Sequence, residues 1–381
     1  MTGPDYTALR RRCADALQAE DQFGAPWVRE VFEKVERERF APARIRVSDP
    51  GGNGGQEVID YATDARAWAN AVYAPDRSLI TQLDDGATLL EPGAPGRFTS
   101  SLSAPRVVVR QLCHLDLRPR HRVLHIGTGS GYDSALIAER TGARNLFTLE
   151  VDDRLAATAR RNLDTAGYPD VQAVAGDGEQ GWPAGAPYDR VLCTASANRV
   201  PRAWIEQTRP GGVILTPYRG LALPRLVVAD DGKTASGPIV DAMSFMVLRG
   251  QRGTEAADLR PVVKATLSES ERVRTDADLS PVKTELGAEF LYHVLVPGTR
   301  LVFGEETWWL EARDGSSWAA WKPDGRGRQW GTRRLLTEAA EALTAWKAAG
   351  APGLTALGLT VDAGGDRVWA HEPDGPSWPV P

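Results

Sequence analysis

The stretch RVLHIGTGSGYDSALIAE, residues 122–139, constrains the fold more than any other part of the chain. RVLHI (122–126) is a short apolar run of the kind that suits a buried strand in a parallel sheet. Three glycines follow in the turn Gly127-Thr128-Gly129-Ser130-Gly131, and YDSALIAERTG then repeats apolar residues at helical spacing until Gly142 ends it. Strand, glycine turn and helix open a nucleotide-binding βαβ unit. The glycines let the backbone approach a ligand, and the helix N-terminus presents free N–H groups to its polar atoms.

The glycine spacing narrows the ligand. A dinucleotide fingerprint, G-x-G-x-x-G, needs its third glycine at position 132, where Tyr132 stands. G-x-G-x-G matches instead the tighter loop of S-adenosylmethionine (SAM) enzymes, whose ligand has no pyrophosphate to cradle. NLFTLEVDD (145–153) reads as a second strand ending in Glu150, about twenty residues after the turn, where a carboxylate can accept from both ribose hydroxyls. RLAATARRNLDTAG (154–167) is an amphipathic helix closed by Gly167. VQAVAGDG (171–178) runs into Asp177, where adenine would be read. YDRVLCTAS (188–196) and RPGGVILTPY (209–218) add a fourth strand, a turn and a fifth. In this order the strand ends predict an α/β fold, the Rossmann-like sheet of a class I SAM-dependent methyltransferase.

Composition excludes several alternatives. A formal net charge of −5 gives no basic footprint for nucleic acid. No run of about eighteen apolar residues offers a membrane span, and the N-terminus has no apolar signal core. Cys13, Cys113 and Cys193 are odd in number, far apart and outside any zinc spacing, so they read as reduced thiols of a cytoplasmic protein. No His/Cys/Asp cluster has metal-ligand spacing. The length of 381 residues suits two or three domains.

Longer stretches carry a family resemblance. Residues 101–138 (SLSAPRVVVRQLCHLDLRPRHRVLHIGTGSGYDSALIA), residues 176–218 with their GDGEQGWP and APYD blocks, and VERERFAPARI (35–45) resemble protein-L-isoaspartate O-methyltransferase. The resemblance covers about residues 20–230 and implies extra N-terminal helices before the sheet. It also implies SAM contacts at Leu102, Ser103, Gly127, Thr128, Gly129, Ser130, Gly131, Glu150, Val151, Asp177, Gly178 and Thr194. Ser103, in the Ser-Ala-Pro element at 103–105, is implied to be the catalytic residue beside the transferred methyl, holding the acceptor carboxylate, with Ser101 and Arg106 on the substrate side. The chemistry is consistent: a carboxylate is already ionised at pH 7, needs no general base or metal, and asks only for alignment. Without the resemblance, Ser103 reads equally as an ST-turn before proline.

Two departures from the family pattern stand out. His125 occupies the position before the glycine turn that SAM enzymes commonly fill with an acid. It reads either as a satisfied core histidine or as a hydrogen-bond partner of the loop or the ligand. RVVV (106–109) follows Ser-Ala-Pro in place of the family's usual stretch. Arg106 there reads either as a partner for an acidic substrate or as an ordinary surface arginine.

The chain continues well beyond the end of ordinary isoaspartate repair enzymes. Residues 224–250 alternate apolar and polar residues, as closing antiparallel strands of the core would. Residues 251–283 are polar, charged and proline-punctuated, and read as a linker. Beyond them lie strand-like segments with D-G turns and an amphipathic helix within 332–353, and eight of the twelve tryptophans fall at or after Trp308. The expected division is a helical, substrate-capping region (1–95), a SAM-binding core (96–250), a linker (251–283) and an α+β domain for peptide recognition (284–381). The tryptophans read either as that domain's core or as a groove for an extended peptide.

This long form resembles a subgroup of methyltransferases that accompany ribosomally made, modified peptides, the graspetides and lanthipeptides. The resemblance implies a modified, macrocyclic precursor peptide as partner. Its aspartate would be esterified so that the next backbone nitrogen closes an aspartimide, which persists or opens to isoaspartate. The rival reading is repair of isoaspartyl proteins, with the extension serving oligomerisation or stability. A SAM-fold scaffold without activity is opposed by the intact site residues, and an NAD-dependent dehydrogenase by Tyr132 and the Ser-Ala-Pro element.

Overall fold

The computed structural model describes residues 3–47, 57–253 and 258–381. The chain divides into two compact units, one of residues 1–196, 201–217 and 227–233, the other of residues 197–200, 218–226 and 234–381. Among the described residues no helix is long and apolar enough to cross a membrane.

The first unit opens with a four-stranded antiparallel sheet in the order β2-β1-β3-β4. Its strands are β1 (Arg44–Val47), β2 (Val58–Asp60), β3 (Leu79–Leu83) and β4 (Phe98–Leu102). Helices α1 (Tyr6–Ala19), α2 (Pro26–Lys34), α3 (Ala65–Val72) and α4 (Pro105–Leu115) surround these strands in sequence. Their starts are encoded locally. Asp5 and Asp64 accept from the N–H groups of Ala8 and Ala67, and Pro26 and Pro105 fill first-turn positions where no N–H is needed.

Five parallel strands follow: β5 (Val123–Ile126), β6 (Leu146–Glu150), β7 (Gln172–Ala175), β8 (Tyr188–Cys193) and β9 (Thr208–Leu215). Helices α5 (Tyr132–Thr141), α6 (Asp153–Thr165) and α7 (Arg202–Glu206) connect them. The order is β9-β8-β5-β6-β7, so the chain runs outward from β5 in one direction and then returns to build in the other. Every residue of β5 and β6 is buried, which is why both read as continuous apolar runs. The reversal leaves a crevice at the carboxyl end of β5, where open α/β sheets bind ligands. The expected class I methyltransferase fold is present.

The second unit contains β10 (Ala222–Val228, through Leu226) and β11 (Ala235–Ala242). Next come α8 (Leu259–Thr266), β12 (Glu271–Arg274), α9 (Pro281–Thr284) and α10 (Leu286–Leu295). Strands β13 (Thr299–Phe303), β14 (Trp308–Ala312), β15 (Ser317–Trp321) and β16 (Arg326–Gly331) join β12 in an antiparallel sheet of order β12-β16-β15-β14-β13. Gly315 and Gly325, in the two D-G turns, adopt φ of 76° and 80°, the left-handed region such turns require. Helix α11 (Leu335–Ala348) lays Leu336 against β16, so close that a Cβ at Gly327 would stand 2.7 Å from it. Finally β17 (Leu357–Asp362), β18 (Gly365–Ala370) and β19 (Ser377–Pro379) extend the order β19-β18-β17-β11-β10. Of the eight late tryptophans, Trp308, Trp318, Trp321, Trp346 and Trp369 are buried core, which leaves the groove reading only Trp309, Trp330 and Trp378.

The two compact units divide the chain at other positions than the sequence boundaries. Residues 1–95 pack with the parallel sheet in one unit. Strand β11 lies between β10 and β17 in the sheet order and pairs antiparallel with β17. The expected linker carries α8, β12 and α9, although its residues 254–257 lie outside the described residues. It looked like a linker because α8 buries only Leu259, and because β12 exposes its charges on a sheet edge.

Trp318 has no exposed surface, packs at a tilt of 50° against Trp309 and donates from Nε1 to Thr266 Oγ1 at 2.9 Å, tying α8 to the sheet. Trp318→Ala should cost about 3–5 kcal/mol through the cavity and the orphaned hydroxyl. Urea denaturation followed by circular dichroism reads this as a lowered midpoint; an unchanged midpoint would deny Trp318 that role.

Candidate functional site

The glycine turn leaves β5 with Gly127, Gly129 and Gly131 at φ of 90°, 56° and 95°. Side chains would be strained at all three. At Gly127 a Cβ would also stand 2.9 Å from Thr194 Oγ1. The Gly127 N–H donates to Leu149 O at 2.9 Å, and the Gly129 N–H donates to Glu150 Oε2 at 2.8 Å. Glu150 Oε1 accepts from the Asp152 N–H at 3.2 Å. The carboxylate at the end of β6 is thereby fixed to the turn it faces.

Beneath the turn lies a net of neutral polar groups. His125 Nδ1 lies 2.9 Å from Ser134 Oγ and 3.1 Å from Thr148 Oγ1, and Nε2 lies 3.1 Å from Thr194 Oγ1. Thr128 Oγ1 meets Thr148 Oγ1 at 2.6 Å. Full burial drives the His125 pKa down to about 3, so the ring is neutral. His125 is a satisfied core histidine that joins β5 to α5, β6 and β8. Thr194 donates to Gly127 O at 2.8 Å, which makes its hydroxyl a brace for the turn.

The end of β4 approaches from the other side. Ser101 O lies 3.8 Å from where a Cβ on Gly129 would sit, an approach that the bare backbone permits. Leu102 is buried and pairs with Leu79, and Ser103 follows it, half-buried, with no hydrogen bond to its hydroxyl among the described residues. The Ser103 carbonyl accepts from Arg37 Nη2 at 2.7 Å, while Arg37 Nε donates to Val72 O at 2.8 Å. The Arg37 guanidinium carbon lies 4.8 Å over the Tyr132 ring. Asp133 occupies the first turn of α5, and burial pushes its carboxyl up to about 6 against the opposing pull of Arg37.

At the neighbouring strand ends, exposed Asp177 accepts from the Glu179 N–H at 3.0 Å. Gly178 is obligatory: a Cβ there would stand 2.4 Å from Ile126 Cγ2. Val151 is 40% exposed, an apolar ledge directly after Glu150. Ser130 Oγ is buried without a partner. A turn stripped of side chains, an orphaned hydroxyl within it, carboxylates after β6 and β7 and an apolar ledge between them fit a nucleoside with a polar tail, as SAM has. Among the described residues no group of three or more His, Cys, Asp or Glu could hold a metal ion.

Arg106, expected on the substrate side, is ion-paired within the first unit. Its guanidinium binds both oxygens of Asp76 and, at 2.7 Å, Glu20 Oε2. Two carboxylates hold its charge, so it ties α4 to the N-terminal segments. The sequence reading passed over Arg37, Asp133 and Asp152. Arg37 was within the quoted VERERF segment, and Asp133 was marked only by being a charge just after a glycine turn. Asp152 caps α6 and accepts from Gln82 Nε2 at 3.3 Å, joining β3 to the site.

Comparison with known proteins adds a family. The profile described as Protein-L-isoaspartate(D-aspartate) O-methyltransferase (PCMT) matches residues 96–245. The chain is similar to protein-L-isoaspartate O-methyltransferase of Hyperthermus butylicus, 39% identical over 242 residues that cover 60% of this chain and 95% of that protein. It is similar to protein-L-isoaspartate O-methyltransferase 1 of Nitrosospira multiformis, 36% identical over 256 residues covering 66% and 91%. A solved structure named protein-L-isoaspartate O-methyltransferase superposes with a TM-score of 0.53 at 20% identity, over 95% of this chain and 100% of that one. That likeness is one of fold. Since it spans nearly the whole chain, the extension has a counterpart in a protein of that name.

The shifted His125 sets an acid limit on stability. Its folded value of about 3 lies below the ordinary 6.5, so the unfolded chain takes up the proton first. The contribution is whole above pH 6.5 and is lost as pH falls toward 3, at about 1.4 kcal/mol per pH unit. Unfolding free energies measured across that window should fall less steeply in His125→Gln, by about one proton. Parallel curves for the two proteins would exclude His125 as the group responsible.

Proposed function

Because the chain belongs to the protein-L-isoaspartate O-methyltransferase family, we propose that it methyl-esterifies an aspartyl-derived carboxylate of a polypeptide with SAM as donor. The observation that carries this reading is the placement of an unpartnered Ser103 hydroxyl next to a strand end that closes on the glycine turn. SAM, when bound, supplies a methyl group made electrophilic by its sulfonium. Glu150 would accept from the ribose hydroxyls, Asp177 and Gly178 would meet the adenine edge, and Val151 would pack on its face. Leu102 and Gly127 through Gly131 would line the remainder, with Thr194 bracing the turn and Ser130 supplying a hydroxyl. On the acceptor side Ser103 would donate to one carboxylate oxygen, leaving the other to attack, and Ser101 would flank it. No proton has to be removed, because the acceptor is ionised at neutral pH. What the residues contribute is a fixed line of approach in a site that excludes water.

The relatives' names favour the isoaspartyl α-carboxylate. A second reading is an ordinary aspartate in a macrocyclic precursor peptide. Its support is that the Hyperthermus relative matches only 60% of the chain, although the fold of the extension has a counterpart in a structure named protein-L-isoaspartate O-methyltransferase. Either ester can be attacked by the following backbone nitrogen, which expels methanol and closes the same five-membered imide.

Incubation with SAM and either an isoaspartyl peptide or a cyclised, aspartate-containing precursor separates the two by mass spectrometry. A methyl ester on the isoaspartyl peptide alone supports repair; an ester or imide on the precursor alone supports peptide biosynthesis; reaction of neither overturns the proposal. Ser103→Ala should slow methyl transfer about ten- to a hundredfold, as the loss of a hydrogen bond to a charged group does, with calorimetric SAM binding retained. Equal turnover would remove Ser103 from the site. Asp177→Ala should weaken SAM binding by about 1.5–3 kcal/mol, and unchanged affinity would show the adenine contact to be misplaced.

A further inference from the structure

Among the described residues strand β12, ERVR, is an edge of the five-stranded sheet and pairs only with β16. The register sets Arg272 opposite Arg328 and Arg274 opposite Arg326. Like charges directly across a ladder are destabilising, and this sheet has two such pairs in succession. Asp324 neutralises Arg326, whereas Arg328 donates only to uncharged acceptors, Leu267 O and Ser270 Oγ. Arg272 and Arg274 are exposed, and neither has a hydrogen bond or ion pair among the described residues. Glu271, their one acidic neighbour on the strand, projects to the opposite face and binds Arg334. Three guanidiniums therefore share one face without a counter-charge, in a chain whose net charge is −5.

The backbone of the same two residues is also open. The Thr275 N–H donates to Gly325 O at 3.0 Å, which makes 275–325 a hydrogen-bonded pair. Pairs alternate along an antiparallel ladder, so Val273 and Glu271 bond to β16 while Arg272 and Arg274 turn their N–H and C=O groups outward. An edge strand with free backbone groups accepts another extended chain. Side chains at 272 and 274 lie about 7 Å apart, the two-residue repeat of a strand, so they match carboxylates at alternate positions of an added strand.

We propose that the outer edge of β12 is a docking site for an extended acidic segment of the polypeptide substrate, one with Asp or Glu at alternate positions. The segment adds as a sixth strand, and Arg272, Arg274 and Arg328 take its carboxylates. This rests on the reading of the chain as a polypeptide carboxyl methyltransferase. It places recognition at residues that the sequence presented as a linker.

Two measurements separate failure of this site from failure of that reading. Fluorescence anisotropy with a labelled Glu-Thr repeat peptide that lacks a methyl acceptor needs no turnover. Binding should be lost at high salt. It should weaken tenfold or more in Arg272→Glu/Arg274→Glu, and by less in Arg272→Gln/Arg274→Gln. The same peptide with every backbone nitrogen methylated keeps its charge but cannot join a strand edge, so equal affinity for it would overturn edge docking. Tighter binding of a labelled single-stranded oligonucleotide would overturn the choice of an acidic peptide. In turnover, an isoaspartyl peptide carrying the Glu-Thr extension should show a severalfold lower KM than one carrying Gln-Thr. The charge-reversed variant should abolish that difference while leaving kcat and the Gln-Thr peptide unaffected. Equal KM values in the unaltered enzyme would overturn the proposal.

Discussion

A single buried guanidinium holds the two sides of the methyl-transfer site in register. Arg37 has no exposed surface, and among the described residues none of its hydrogen bonds goes to a carboxylate. An ion buried in this way costs several kcal/mol unless its environment is arranged to receive it. Here the carbonyls of Val72 and Ser103 accept two of its N–H groups, and the Tyr132 face lies 4.8 Å below. The backbone of Ser103, the ring of Tyr132 at the start of the helix after the glycine turn and the end of α3 are thereby fixed to one planar group. Lysine has the charge but lacks the rigid fork that serves these directions together.

The polar groups beneath the glycine turn explain how the site departs from the pattern of its family. A neutral His125 stands where an acid is common, and its ring nitrogens are spent on Ser134, Thr148 and Thr194. Negative charge near the turn comes instead from Glu150, held by the Gly129 N–H, and from Asp133, whose carboxyl is desolvated next to Arg37. In the proposed complex a positive sulfonium would meet carboxylates on the protein as well as on the acceptor. The work left to the residues is geometric: to keep only the acceptor in line with the methyl.

The parallel sheet was legible because each of its units is local. A buried apolar strand, a glycine stop and a helix of clear period recur within about twenty-five residues, and Gly142 and Gly167 mark where each helix ends. What escaped depends on partners distant in sequence. Arg106 is explained by Asp76 and Glu20, thirty and eighty-six residues away, and no spacing rule announces them. Strand β11 finds β17 across more than a hundred residues, a partner that no local pattern announces. Strand β12 carries arginine at alternating positions where a half-buried strand would show an apolar face and a polar one.

Esterification of an ionised carboxylate is undemanding chemistry, and that shifts the burden of selectivity away from the reacting atoms. In the proposed reaction Ser103 and the glycine turn would treat any aspartyl-derived carboxylate of the right reach alike, so discrimination among polypeptides would have to come from contacts with the flanking chain. At physiological ionic strength charges are screened beyond about 8 Å, so the net charge of −5 does not by itself repel an acidic segment from every part of the surface. What counts is the charge within one screening length of the landing place. On the outer face of β12 that charge is positive, closely spaced and uncompensated, and the backbone next to it is free to pair. A preference for acidic flanking sequence therefore follows from the local arrangement of three arginines rather than from the composition of the chain.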